Sequence, residues 1–110
     1  MTKKIKDTLK KLGILPNVKG YHYLVTGVEL ALIEFQKKQV VQSWTDLYRI
    51  IAVRHLNCSS STVERCIRSA IDTARDMETA LFKELIAPYE ICNSSFMAIV
   101  AEYVLEEQDN

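Results

Sequence analysis

Apolar residues along this chain recur at intervals of three and four almost throughout, the spacing of helices that each bury one face, and they do not alternate as strands do. The spacing predicts a short first helix near Lys3–Leu12, with Ile5, Leu9 and Leu12 on one side and Gly13 ending it. Ile14-Leu15-Pro16-Asn17-Val18 reads as a connector, because Pro16 disfavours helical backbone in the residue before it. A longer helix follows from about Gly20 to Lys37, with Tyr23, Leu24, Val28, Ala31, Leu32 and Phe35 on one face. Lys37 and Lys38 sit at its negative end, where cations are favoured. Ser43 or Thr45 caps a third helix reaching about Leu56, which turns Trp44, Leu47, Ile50, Ile51 and Leu56 inward.

The next junction is the most informative. Asn57-Cys58-Ser59-Ser60 is a polar break short enough for a tight turn between packed helices. Ser61-x-x-Glu64 then matches a capping box, in which hydroxyl and carboxylate satisfy each other's backbone donors. Behind it Val63, Cys66, Ile67, Ala70, Ile71 and Ala74 form one apolar stripe. Beyond Asp76 a short helix is predicted around Thr79–Ile86, ended by Ala87 and Pro88. Asn93 or Ser94 caps a last helix to about Glu107 that buries Phe96, Ile99, Val100, Tyr103 and Val104. The expected fold is all-α, a single domain of about six helices without strands.

A chain of 110 residues can bury such a core without disulfides or metal. Cys58, Cys66 and Cys92 are an odd number, and the basic start Met1–Lys6 is not followed by the apolar stretch of a signal peptide. Reduced thiols and a cytoplasmic location are therefore expected. No apolar run approaches the ~20 residues that span a bilayer, so no membrane partner is expected. His55-x2-Cys58 is half of a metal site, but no second close pair follows, and neither metal nor cofactor is expected. Net charge is zero, yet residues 1–55 carry ten Lys/Arg against four Asp/Glu and the remainder carries the reverse. A local basic surface is compatible with that division, as is an uneven scatter of solvated charge.

Candidate chemistry lies on the polar face of the helix after Ser61. Thr62, Glu64, Arg65, Arg68, Ser69, Asp72 and Arg75 all avoid the apolar stripe. A helix with small packing residues, joined to its predecessor by a short turn, is the helix-turn-helix pattern, whose second helix places its N-terminal part in the major groove. Arg65 carries a fork able to donate two bonds to guanine O6 and N7, and Glu64 can accept from cytosine N4. Ser60, Ser61 and the helix N-terminus suit a phosphate. The plainer readings are that Glu64 only completes the cap and that Arg68, Asp72 and Arg75 are surface ion pairs. Arg65 has no acidic neighbour at helical spacing. Catalysis is not expected. His22 and His55 read as packing residues, no glycine-rich phosphate loop appears, and the serines at 59–61 have no local base.

Three segments resemble the C-terminal effector domain of the stage-zero sporulation response regulator. They are Leu12-Gly13-Ile14-Leu15-Pro16-Asn17-Val18-Lys19-Gly20-Tyr21-His22-Tyr23-Leu24, Ser61-Thr62-Val63-Glu64-Arg65-Cys66-Ile67-Arg68-Ser69-Ala70-Ile71, and Asn93-Ser94-Ser95-Phe96-Met97-Ala98-Ile99-Val100-Ala101-Glu102. The resemblance implies a six-helix fold of response-regulator effector type, with the helix-turn-helix in its third and fourth helices. It implies a transcription regulator that binds double-stranded DNA at short boxes like TGTCGAA, often in tandem, as a homodimer. An RNA polymerase sigma factor is the implied protein partner. Glu64, Arg65 and Arg68 match family positions at the DNA. The family has arginine where this chain has Thr62 and histidine where it has Ser69, both on the DNA face. The segment before Asn93 is several residues shorter than the family's polymerase-contacting region, and the phosphoacceptor receiver domain is absent from these residues. An excised domain and a stand-alone protein without its own phosphorylation switch both fit. The competing reading is a protein-interaction module that kept the fold and lost DNA reading.

Overall fold

The apolar periodicity resolves into α1 (Thr2–Lys11), α2 (Tyr21–Gln36), α3 (Trp44–Arg54), α4 (Ser60–Met77), α5 (Ala80–Leu85) and α6 (Asn93–Asp109), with no strand among the described residues. The computed structural model of the protein describes residues 2–36, 44–55, 58–89 and 91–109, and only the backbone at 44, 45, 108 and 109. The all-α architecture expected from the spacing is the one observed.

Each boundary has a local cause. Gly13 ends α1 with φ +96°, and the N–H groups of Gly13 and Ile14 donate to the carbonyls of Lys10 and Leu9 at 3.0 and 2.9 Å. That pairing is a Schellman cap, and it swings Ile14 back into the core beside Leu9 and Leu12. Tight turns through Val18 then lead into α2, which packs against α1, α3, α4 and α6. Leu24, Val28, Ala31 and Leu32 of α2 meet Phe96, Met97, Val100 and Val104 of α6 in one continuous core. The stripe Val63, Ile67, Ala70, Ile71 and Ala74 seats α4 in the same core, while Cys66 at its edge stays half-buried.

Several expected inward positions are not buried. Ile50 is 43% exposed, whereas Leu47 and Ile51 are buried. Among the described residues the eleven-residue α3 packs closely against α2 and α4, through a face around Leu47 and Ile51. Ile99 and Tyr103 of α6 are half-buried, and Met97 and Ala101 take the interior places beside Phe96 and Val100. The expected Lys37, Lys38, Ser43, Leu56 and Asn57 features, and the side chains of Trp44 and Thr45, lie outside the described residues.

One contact fixes α4 against the start of α2. Gly20 has φ +95°, and a Cβ there would stand 2.5 Å from the carbonyl oxygen of Cys66 and 3.3 Å from Ala70 Cβ. Backbone touches backbone, so neither side can give way. Gly20→Ala is expected to lower unfolding free energy by about 2–4 kcal/mol, from left-handed strain plus overpacking. Gly13→Ala, where the nearest atom is a side-chain carbon of Met77 at 3.1 Å, should lose less. Urea denaturation of the two variants measures this, and equal losses would contradict the backbone constraint.

Candidate nucleic-acid interface

The first turn of α4 is organised by Ser59. Its backbone is extended (φ −104°, ψ 163°), its carbonyl accepts from Val63 N–H at 3.0 Å, and its Oγ accepts from Thr62 N–H at 3.2 Å. Ser59 Oγ also lies 3.1 Å from Ser61 Oγ and 3.0 Å from Thr62 Oγ1. The expected capping box at Ser61 and Glu64 is therefore not formed, and the helix starts at Ser60. Three consecutive serines are chemically equivalent caps. The register that points Val63 and Ile67 into the core decides among them.

Glu64 is released from capping by this shift. Its Oε1 instead accepts from the Arg68 guanidinium at 2.6 Å, with the two side chains 45% and 60% exposed. Such an i,i+4 pair contributes only a few tenths of a kcal/mol, so Arg68 can leave it at little cost. The spacing-based pairs of Asp72 with Arg68 and Arg75 are not the ones formed. Arg65 is exposed and has no hydrogen-bond or ion-pair partner among the described residues.

The first three turns of α4 bring together Ser60, Ser61, Thr62, Glu64, Arg65, Arg68 and Ser69, all exposed or half-buried. Arg75 does not join them. It stands ten residues beyond Arg65, about 15 Å along the axis, with its guanidinium 5.5 Å from the centre of the Phe82 ring. Cations at such a distance over an aromatic face are held electrostatically, which ties the end of α4 to α5.

Both flanks of the exposed face are completed by residues from outside α4. On the Thr62 side, Lys19, Gly20, His22, Tyr23 and His55 complete a cleft of about 520 Å³ that also touches Cys66. His55 Nε2 lies 2.8 Å from Thr26 Oγ1, and its ring meets Tyr23 edge-on at 5.1 Å. Burial, then His22 and Arg54, hold His55 below the ordinary imidazole range. Cys58 donates to the His55 carbonyl at 2.9 Å, so its thiol closes the end of α3. On the Glu64 side, Asn93 is 7% exposed and its Nδ2 donates to the Glu64 carbonyl at 2.9 Å. Asn93 therefore ties α6 to α4 and does not cap α6. The capping position falls to Cys92, whose carbonyl accepts from Phe96 N–H at 3.0 Å. Hydrogen bonds from the Ser94 and Ser95 hydroxyls, at 3.1 and 3.2 Å, help lower the Cys92 thiol to about 7.

The result is an exposed, serine-capped helix packed on its predecessor, carrying an arginine with no partner among the described residues. The family model described as Sporulation initiation factor Spo0A C terminal matches residues 5–104. The chain belongs to this family. Spo0A C-terminal domains are helical DNA-binding domains of a sporulation-initiation transcription regulator, not an enzyme family, and the match reaches from α1 into α6. No curated protein and no solved structure gives a significant match. Among the described residues no helix is long and apolar enough to cross a membrane.

Two outcomes are expected from this geometry. Ser59→Ala should lower stability by about 1 kcal/mol in urea unfolding while Ser61→Ala costs a few tenths; the reverse order would restore the Ser61 cap. Cys92 should alkylate with iodoacetamide before Cys58 and Cys66, its rate rising to half-maximum near pH 7. Peptide mass spectrometry reads this directly, and equal labelling of all three thiols would refute the lowered value.

Proposed function

We propose that the protein regulates transcription by placing the first turns of α4 in the major groove of short TGTCGAA-like boxes. Arg65 is the principal base reader in this reading. The observation that carries it is an exposed guanidinium, without a partner among the described residues, on the second turn of a capped helix, where its five donors can pair with guanine O6 and N7. Arg68 supports it by exchanging Glu64 for a phosphate or base, and Glu64 either orients Arg68 or accepts from cytosine. Ser60 and Ser61 at the helix start suit a phosphate, while Thr62 and Ser69 tune the preferred box. Arg75 has a structural contact with Phe82 and belongs to the reading only as an outer phosphate contact. A second copy on a tandem box and a sigma factor of RNA polymerase are the protein partners that the family resemblance supports.

Fluorescence titration of a tandem-box duplex and a scrambled duplex across salt tests the proposal. Arg65→Ala should cost about 1–3 kcal/mol in binding to the box and leave scrambled binding nearly unchanged. Arg68→Ala should weaken both and reduce the log–log salt slope by about 0.9 if it meets phosphate. Two copies bound per tandem box would support the paired assembly. A parent protein that binds both duplexes equally at low salt would favour the protein-interaction module instead.

A further inference from the structure

We infer that the cleft beside the first turn of α4 is a second DNA contact, which takes a backbone phosphate on Lys19 and His22. The inference rests on α4 being the groove-reading helix and adds a site outside it. An α-helix with its side chains is about 10–12 Å across and the major groove is about 12 Å wide, so an inserted helix nearly fills it. Whatever stands immediately beside that helix then meets the sugar–phosphate backbone. On the Thr62 side the neighbouring surface is the cleft lined by Lys19, His22 and His55.

The chemistry of the cleft suits an anion. Its described lining contains no carboxylate, and Lys19 and His22 are both exposed. Arg54, also exposed, precedes His55 in the chain and disfavours its protonated form. His55 is committed to Thr26 and Tyr23 and serves as a wall, while Thr62 offers a hydroxyl from α4 itself. Tyr23, Cys58 and Cys66 are the remaining titratable groups around that wall.

Position is fixed as well as charge. Gly20 lies against the Cys66 carbonyl so closely that no side chain fits between them. The residue before it, Lys19, is therefore held in a constant relation to the first turns of α4. A lysine on a rigid turn beside the reading helix loses less freedom on binding than one on a loose arm, and it sets the helix's register along the groove without reading sequence.

The test is a titration of the full chain against the tandem-box and scrambled duplexes between 50 and 300 mM salt, with Lys19→Ala, His22→Ala and Lys83→Ala beside the parent. Lys83 lies on α5, beyond the far end of α4, and controls for loss of one positive charge. Lys19→Ala should weaken binding to both duplexes alike, by about fivefold at 150 mM salt, and lower the log–log salt slope by about 0.9, the share of one phosphate. His22→Ala should show a smaller loss of the same kind. Thermal melts matching the parent's would exclude unfolding as the cause. Lys19→Ala behaving like Lys83→Ala would overturn the proposal, as would a changed box-to-scrambled ratio at constant salt slope. Failure of the base-reading role is separable: it would appear as a parent without box preference, while the Lys19 and Lys83 variants still differ on scrambled DNA.

Discussion

The close approach of Gly20 to the Cys66 carbonyl governs where the candidate reading helix sits. Hydrophobic burial alone would hold α4 against α2 without specifying its depth, because burial is non-directional. Ala70 and Ala74 remove the bulk that would keep the helices apart, and Gly20 brings the start of α2 into backbone contact. From that contact follow the tilt of the polar face, the position of Lys19 and the shape of the cleft beside Thr62. The second anchor, from Asn93 to the Glu64 carbonyl, holds the opposite flank to α6. The polar face is thus carried on a helix restrained from both sides, as a site needing sub-ångström placement requires.

The electrostatics of that face are economical. Arg68 and Glu64 neutralise each other in a half-exposed pair too weak to lock, and Arg65 carries charge with no protein partner among the described residues. A balanced total charge therefore coexists with exposed arginines on this face, because much of the acid lies elsewhere. Glu102, Glu106 and Glu107 lie on α6, and Glu84 of α5 lines one cleft with Glu102 and Glu106. Net charge describes solubility and long-range steering, whereas groove reading depends on which side chains stand on the first turns of one helix.

Much of the fold was legible because periodicity and caps are local properties. The six helices, the Gly13 terminus, the stripe of α4 and the Thr79 start of α5 all follow from residues within a few positions of one another. The misplaced features involve choices between local equivalents. Ser59, Ser60 and Ser61 can each cap, and Asn93, Ser94 and Cys92 can each precede α6. Ile50 matches helical spacing as well as Ile51 does, but it stays 43% exposed while Ile51 is buried. Packing decides such cases, and packing depends on residues distant in the chain.

By itself the sequence determined the all-helical class, the family, and the exposed arginines at 65 and 68, since an apolar stripe defines its polar complement by simple rotation about the helix axis. Only the tertiary structure decided what surrounds that polar face. It moved the cap to Ser59 and paired Glu64 with Arg68. It carried Asn93, 29 positions away, onto the Glu64 carbonyl. It also brought Lys19 and His22 beside Thr62, through a glycine whose missing side chain allows two backbones to touch. Local spacing sets which way a residue faces on its own helix, while its neighbours are set by how distant helices close around a shared core.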